Sequence, residues 1–174
     1  MTAARRRDEI LQALAGASGP VSAAALAARL GVSRQVVVGD VALLRAAGSP
    51  IVATPRGYVL GGGQEGGGVR CTVACRHGLD GLLDELYTVA DCGCGVLDVT
   101  VEHPVYGQLS GQLQVFSRYD ADVFWDALQK NGAQPLCSLT GDIHLHTLVC
   151  PDEARTARVL AALEEKGYLM GLEK

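Results

Sequence analysis

Apolar residues recur with a helical period in the first part of the chain. Ile10 and Leu14 would share one face of a helix over residues 5–15. Two further helical patterns follow, and a serine that can cap a helix precedes each of them. Ser22 precedes the pattern "AAALAARLG", and Ser33 precedes the pattern "RQVVVGDVALLRAAG". The pattern therefore predicts three short helices.

The second and third predicted helices are joined by only "GVS", the short connection of a helix-turn-helix. Two apolar runs, "IVAT" and "GYVL", then flank "PRG" and predict a small hairpin, the wing of a winged helix. Any small three-helix domain shares part of this outline, but the polar residues at its tips favour DNA binding. Arg and Gln can bind guanine and adenine in the major groove, and Arg can also reach phosphate. The candidate DNA contacts are Ser33, Arg34, Gln35 and Arg56.

A glycine-rich stretch, "LGGGQEGGG", follows this first domain. It predicts a flexible linker over residues 61–68, between a DNA-binding domain at 1–60 and a second domain at 69–174. In the second domain, strand-like and helix-like apolar patterns alternate and predict the order βαββαβα. That order is typical of an α+β sandwich with a mixed or antiparallel sheet and helices on one side.

Charge is distributed unevenly between the two predicted domains. Residues 1–60 carry seven Arg against three acidic residues, a net charge of +4, whereas residues 61–174 carry eight basic and sixteen acidic residues, a net charge of −8. Only the first domain is thus suited to a polyanion. No apolar run approaches the roughly 20 residues of a membrane span, and the N-terminal residues lack the apolar core of a signal peptide. We expect a cytoplasmic protein with no membrane partner, whose six cysteines are free thiols.

Two of the four histidines lie close together in "GDIHLHTLVC". Alternate residues of a strand share a face, so His144 and His146 project side by side. Such a pair suits Zn²⁺, Ni²⁺, Fe²⁺ or Mn²⁺ if other ligands join it, and His77 and Glu85 are candidates if the helix that follows His77 packs on this face. Alternatively, the pair forms only hydrogen bonds on a half-exposed strand. His103 could line the same cavity or be a satisfied core residue.

Several segments resemble one family of bacterial regulators. "VSRQVVVGDVALLRAAGSPIVATPRGYVL" resembles the biotin-repressor type of helix-turn-helix. "HGLDGLLDELYTVADCG", "DVTVEHPVYGQL", "SRYDADVF", "PLCSLTGDIHLHTL" and "LEEKGYL" resemble the three-histidine ligand domain of niacin-responsive transcriptional repressors. The resemblance spans nearly the whole chain except the linker.

This resemblance implies a repressor of genes for NAD synthesis and niacin uptake. It implies a homodimer that binds operator DNA with nicotinate as co-repressor, and a divalent metal in a domain that also dimerises. The family's metal ligands correspond to His77, Glu85, His144 and His146. His103, Tyr106 and Arg118 are weaker candidates for contacts with the nicotinate carboxylate.

Two other functions remain open at this stage. The metal itself could be the signal, in a metal-sensing regulator without an organic effector. A metal-dependent hydrolase fused to a DNA-binding domain is the weaker alternative, because Glu85 would be a ligand and no separate base is evident. The sequence also lacks a Gly-rich phosphate loop, a nucleophile elbow and paired catalytic carboxylates. We therefore expect a regulator and not an enzyme.

Overall fold

The computed structural model describes residues 2–61 and 68–171. The chain divides into two compact units, residues 1–65 and 66–174, and each has its own hydrophobic core. Most of the predicted linker, residues 62–67, lies outside the described residues.

The N-terminal unit consists of three helices and a hairpin. The two serine caps form as predicted, because the hydroxyls of Ser22 and Ser33 accept hydrogen bonds from the N–H groups of Ala25 and Val36, at 3.1 and 3.3 Å. Gly31 ends the second helix with a φ of 64°, in the left-handed region that favours glycine. The elements are α1 (Ala3–Ala15), α2 (Ala23–Leu30), α3 (Arg34–Ala46), β1 (Ile51–Thr54) and β2 (Gly57–Leu60).

An ion pair that the apolar pattern did not predict joins α1 to α3. Asp40 is only 4% exposed on the inner side of α3. Arg6 donates to its carboxylate from Nε at 2.5 Å and from Nη2 at 3.2 Å, and Arg7 lies 3.6 Å away. The hydrogen bond to Asp40 raises the pKa of Arg6. Arg6 and Arg7 therefore help to hold α1 against α3.

The C-terminal unit is an antiparallel sheet with three helices, which confirms the predicted α+β class. Its strands lie in the order β3-β6-β4-β5, and every neighbouring pair is antiparallel. A 3₁₀ segment, Leu136–Thr140, precedes the last strand and was not predicted. The other elements are β3 (Val69–Arg76), α4 (Leu79–Asp91), β4 (Gly95–His103), β5 (Gly107–Val115), α5 (Arg118–Asn131), β6 (Ile143–Cys150) and α6 (Glu153–Glu165).

Some predicted boundaries in this unit were wrong by two or three residues. Helix α5 begins at Arg118 and not near Ala121, because the Ser117 hydroxyl accepts a hydrogen bond from the N–H of Asp120 at 3.2 Å. The apolar pattern could not show this cap. Strand β5 ends at Val115, although its apolar sequence continues into Phe116.

The two faces of the sheet differ in burial. His144 and His146 of β6 are 3% and 4% exposed on the face that the helices cover. Ile143 and Leu145 point to the opposite face and are 40% and 39% exposed. Antiparallel sheets commonly bury only one face in this way. All six cysteines are unpaired, and no helix within the described ranges has the length and apolar character of a membrane span.

Candidate functional site

Three imidazoles converge on one buried carboxylate in the C-terminal unit. Glu85 lies on the inner side of α4 and is only 2% exposed. Its Oε2 atom is 2.6 Å from Nε2 of His77, 3.2 Å from Nε2 of His146 and 3.4 Å from Nε2 of His144. His77 follows β3 and the other two histidines lie on β6, so three parts of the chain supply the cluster.

Hydrogen bonds to the backbone fix the tautomer of all three imidazoles. Each Nδ1 atom lies 2.7 to 3.0 Å from a carbonyl oxygen. A carbonyl oxygen only accepts, so each Nδ1 carries a proton, and in the neutral ring Nε2 then presents a lone pair. Metal-bound histidines are commonly held by hydrogen bonds of this kind. The carbonyl oxygens belong to Gly78, Asp142 and Asp98, in the order His77, His144, His146.

The cluster is electrostatically unbalanced without a cation. If all three imidazoles were neutral, their Nε2 lone pairs would face the carboxylate oxygen of Glu85. That oxygen can accept hydrogen bonds but cannot donate one, so no hydrogen bond would form. Burial alone would raise the pKa of Glu85, but the charge of His146 and the hydrogen bonds from the imidazoles hold it well below its usual range. Burial would lower the pKa values of His77 and His146, yet Glu85 raises both. The site therefore favours positive charge, either as protons or as a metal ion.

The donor set fits a divalent transition metal. Glu85 Oε1 is buried, and no described residue forms a hydrogen bond with it. A buried acceptor without a partner is costly unless a cation or donor meets it. Three imidazole nitrogens and one carboxylate suit Zn²⁺, Ni²⁺, Fe²⁺ or Mn²⁺. The thiol of Cys75 lies within 4.8 Å of ligand atoms of Glu85 and His144, and burial raises its pKa in the metal-free protein.

A cavity of about 180 Å³ lies directly beside the cluster. The helix-facing side of the sheet forms its base, α4 and α5 form its sides, and residues of the 3₁₀ segment also line it. No Lys or Arg is among the described residues that line it. Besides the four cluster residues, the lining consists of Leu82, Leu86, Val99, Gly111, Gln112, Leu113, Phe124, Leu128, Gln134, Pro135, Leu136 and Cys137.

A second cleft lies in the N-terminal unit, between α2, the start of α3 and the wing. It measures about 240 Å³, and both Arg34 and Arg56 line it. The first residues of α2 form another wall, where backbone N–H groups and the helix dipole favour an anion. Two arginines and the first residues of α2 thus line one space, which suits a phosphate backbone.

Comparisons with known proteins match a domain model to each of the two units. Residues 6–59 match the HTH domain model, and residues 70–172 match the 3H domain model. The chain is 43% identical over 165 residues to the probable transcription repressor NiaR of Thermotoga maritima, covering 95% of this chain and 93% of the relative. It is 40% identical over 169 residues to the transcription repressor NadR of Bacillus subtilis, covering 96% and 94%.

The chain belongs to the NiaR/NadR family of transcription repressors. This confirms the repressor family that the sequence segments resemble. Membership in a repressor family also agrees with the expectation of a regulator and not an enzyme.

In this NiaR/NadR-type chain, the four candidate metal ligands come together, whereas the three candidates for the effector carboxylate do not line the cavity. Nδ1 of His103 accepts from the N–H groups of Val105 and Tyr106, at 3.2 and 3.3 Å, in the turn between β4 and β5. Arg118 donates two hydrogen bonds to Asp91, at 2.7 and 2.5 Å. These contacts give His103 and Arg118 local partners outside the metal cluster.

The exposed face of α3 in this NiaR/NadR-type domain carries more than the predicted polar residues. Arg34 and Gln35 are exposed at its first turn, as a base-reading role requires. Val36, beside them, is 38% exposed, and its apolar side chain could contact a thymine methyl group. The sequence gives no signal for its exposure, because an apolar residue in a helix normally predicts burial. A Cβ atom at Gly39 would meet nothing within 4 Å, so the unit's own packing does not require that glycine.

Ser33 caps α3 and is also a predicted DNA contact, and a substitution can separate the two. Replacing it with alanine removes the cap of α3 and is expected to lower the free energy of unfolding by about 1 kcal/mol. Thr2→Ala is a matched control, because it removes the corresponding cap of α1 and Thr2 does not line the cleft. If Ser33 also contacts DNA, only Ser33→Ala weakens operator binding, measured by fluorescence anisotropy beside thermal unfolding. Equal operator affinities of the two variants would limit Ser33 to capping.

Proposed function

We propose that this protein represses genes of NAD synthesis and niacin uptake, with nicotinate as co-repressor and a divalent transition metal in its 3H domain. The observation that carries the proposal is the cluster in which three imidazole Nε2 atoms meet one buried carboxylate beside a cavity. The family membership supports the repressor role, and the donor chemistry supports the metal.

His77, Glu85, His144 and His146 would hold the metal. The bound ion supplies a fixed positive charge and a site for a neutral nitrogen or anionic oxygen donor. Nicotinate has both kinds of donor, a ring nitrogen and a carboxylate. The chain's own part is to fix the imidazole tautomers, to exclude water with apolar walls, and to position the ligand.

For operator DNA, we propose that Arg34 and Gln35 read bases from the start of α3. Ser33 and Arg56 contact the same DNA, with Arg56 on phosphate or in the minor groove. The cleft shared by Arg34 and Arg56 supports this arrangement. Val36 adds an apolar contact with a thymine methyl group.

The test of the effector proposal is operator binding with and without a chelator. Nicotinate is expected to raise the operator affinity of the metal-loaded protein by about 5- to 150-fold, the usual range of coupling between two sites. EDTA treatment followed by desalting should abolish this response, and added metal should restore it. The measurement is fluorescence anisotropy with a labelled operator at fixed salt.

The same experiment separates the alternatives. Stimulation by metal alone, without a further effect of nicotinate, would favour the metal-sensing regulator. A nicotinate response that survives complete metal removal would contradict a role for the metal in effector binding. Turnover of ester or amide substrates that depends on the metal would favour the hydrolase.

We also propose a homodimer, because one helix-turn-helix covers only a half-site and operators are usually bound by two-fold dimers. The C-terminal unit is the dimerisation unit in this proposal, since the basic unit must stay accessible to DNA. Its uncovered sheet face supports the assignment, with Ile143 and Leu145 about two-fifths exposed. Residues 69–174 are expected to sediment as a dimer and residues 1–60 as a monomer in analytical ultracentrifugation. The reverse result would move the interface to the DNA-binding unit.

A further inference from the structure

His77 is held differently from the other two imidazoles of the cluster. His144 and His146 lie within β6, which has β3 on one side and β4 on the other. His77 instead lies between the end of β3 and the start of α4, so strand pairing does not fix it. Its side chain is nevertheless only 7% exposed, and its Nε2 atom is the closest of the three to Glu85. Other contacts must therefore fix this ring.

Gly81 makes room for one side of the His77 imidazole. It is buried in the first turn of α4, and a Cβ atom there would lie 2.9 Å from both Cβ and Cγ of His77. Carbon atoms in contact are normally about 3.5–4.0 Å apart, so an alanine would displace the ring. The φ of Gly81 lies outside the left-handed region, so its backbone does not require glycine. Glycine lowers helix stability relative to alanine, and the close approach of His77 explains its presence here.

Tyr168 contacts the same imidazole from the segment that follows α6. The centroids of the two rings are 4.9 Å apart with 62° between the ring planes, an edge-to-face arrangement. The Tyr168 hydroxyl donates to Oδ2 of Asp84 at 2.7 Å, and Nζ of Lys166 donates to the same carboxylate at 2.7 and 2.8 Å. Asp84 directly precedes Glu85 on α4, so the helix that supplies the carboxylate of the cluster also anchors Tyr168.

Main-chain hydrogen bonds fix the segment that carries Tyr168. Residues 168–170 lie alongside the last residues of β3, at the edge of the sheet. The N–H of Arg76 donates to the carbonyl oxygen of Tyr168, and the N–H of Met170 donates to that of Ala74, both at 2.9 Å. The backbone of Tyr168 is thus bonded to the residue directly before His77, and its hydroxyl is bonded to the residue directly before Glu85.

We propose that Tyr168 and Gly81 are positioning residues for His77. Gly81 leaves the space into which the imidazole fits, and Tyr168 covers the ring and holds it in place for the metal. Binding constellations must be held within about 0.5 Å of their working geometry. The inference rests on the proposed metal site and adds two residues that supply no ligand atom. It makes the segment 168–170 a determinant of metal affinity.

The test measures the Zn²⁺ affinity of the full-length protein by competition with a chromophoric chelator. Tyr168→Ala and Gly81→Ala are each expected to lower it about 10- to 100-fold, the usual effect of losing a residue that orients a metal ligand. Tyr168→Phe keeps the ring and should stay closer to the unchanged protein than to Tyr168→Ala. Two matched controls should leave the affinity unchanged. Tyr119→Ala removes a tyrosine that is 70% exposed on α5, and Gly39→Ala adds a methyl group to α3 where nothing lies within 4 Å.

A double-mutant cycle with His77→Ala separates positioning from a general effect on the fold. If Tyr168 acts through His77, Tyr168→Ala should change the Zn²⁺ affinity of the His77→Ala protein by less than about 2-fold. Equal losses in the presence and absence of His77 would overturn the proposal, since Tyr168 would then act independently of this ligand. The unfolding temperature of each variant shows that it is folded during the titration.

A second measurement needs no metal. In metal-free protein with isotope-labelled histidine, the ring signals of His77 in nuclear magnetic resonance spectra should be single and sharp, also in Tyr168→Phe. In Tyr168→Ala and Gly81→Ala they should broaden or split, because the ring is no longer confined to one position. The ring signals of His103, in the turn between β4 and β5, should not change and serve as the internal control.

The two measurements separate this inference from the proposed function. If the unchanged protein binds Zn²⁺ and His77→Ala weakens binding, but Tyr168→Ala and Gly81→Ala bind it like their controls, the positioning role is overturned while the metal proposal stands. If the unchanged protein binds none of Zn²⁺, Ni²⁺, Fe²⁺ and Mn²⁺, but the His77 signals respond to both substitutions as expected, the positioning of His77 stands and the metal proposal fails.

Discussion

Replacing His144 and His146 together by alanine is expected to remove the bound metal and the nicotinate response, while basal operator binding persists. The double variant leaves only His77 and Glu85 at the site, two ligands instead of four. Loss of a residue that only hydrogen-bonds to a metal ligand typically lowers metal affinity about 10- to 100-fold. The loss of two direct ligands should therefore lower it by more than about 100-fold. Metal content by mass spectrometry and operator affinity with nicotinate measure the two effects.

Stability must be controlled in this experiment, because the double variant leaves the buried carboxylate of Glu85 with one partner instead of three. A triple variant that also carries Glu85→Gln removes the buried charge and should recover stability without recovering metal. His103→Ala, a histidine substitution outside the cavity, should keep the metal. If the double variant retained both metal and the nicotinate response, the histidine pair would be structural.

The same site gives a pH dependence with a definite sign. Glu85 raises the pKa values of His77 and His146 in the metal-free protein. The stability that this adds is fully present below the unfolded pKa of about 6.5 and is lost as the pH rises through the higher folded values. Metal binding needs neutral imidazoles, so the metal affinity changes in the opposite sense and rises with pH. The gain in unfolding temperature on adding metal should shrink as the pH falls towards 6.5 and below.

Arg34→Ala is expected to weaken specific operator binding by about 5- to 150-fold, because a bidentate base contact contributes roughly 1–3 kcal/mol. Arg34 is exposed at the first turn of α3 and lines the cleft beside the wing. Binding to DNA without an operator should weaken less, since base contacts are absent there. Anisotropy titrations with operator and scrambled duplexes at one salt concentration measure the difference.

Two controls sharpen this prediction. Arg45→Ala removes the same charge from the last turn of the same helix and should affect the two duplexes about equally. Arg34→Lys keeps the charge but loses the planar fork of the guanidinium group, so it should resemble Arg34→Ala on the operator. Unchanged operator affinity of Arg34→Ala at fixed salt would contradict the assignment of Arg34 as a base-reading residue.

The sequence predicted those parts of the fold that local patterns determine. Serine caps and apolar periodicity located the helices of the N-terminal unit, and the alternation in β6 placed His144 and His146 on one face. That this face is buried is shown only by the structure. The cavity could not be predicted, because it depends on the register between β4, β5 and β6 and on the 3₁₀ segment. Gly111 pairs with Val99, and Val99 pairs with His146; this alignment is a property of strand pairing and leaves no local signal in the sequence.

The partners of charged and reactive side chains could not be predicted from the sequence. Arg118 looked suited to a carboxylate, but the fold gives it Asp91 as its partner. Cys75 is fully buried, and the pairing of β3 with β6 sets it opposite His144. In both cases the partner comes from a distant part of the chain, which composition and spacing do not show.

The ion pairs of α1 change how strongly the first unit should hold DNA of any sequence. Arg6 and Arg7 face Asp40, and Arg5 lies 3.4 Å from Glu9. Three of the seven arginines thus contact two acidic residues. With Asp8, the acidic residues of this unit offset three positive charges, so the net charge of +4 equals that of the four arginines further along the chain. Each phosphate neutralised releases counterions and changes the salt slope by roughly 0.9. With few such contacts per unit, the repressor should leave random DNA quickly, and its residence on the genome should depend on the match between base and side chain.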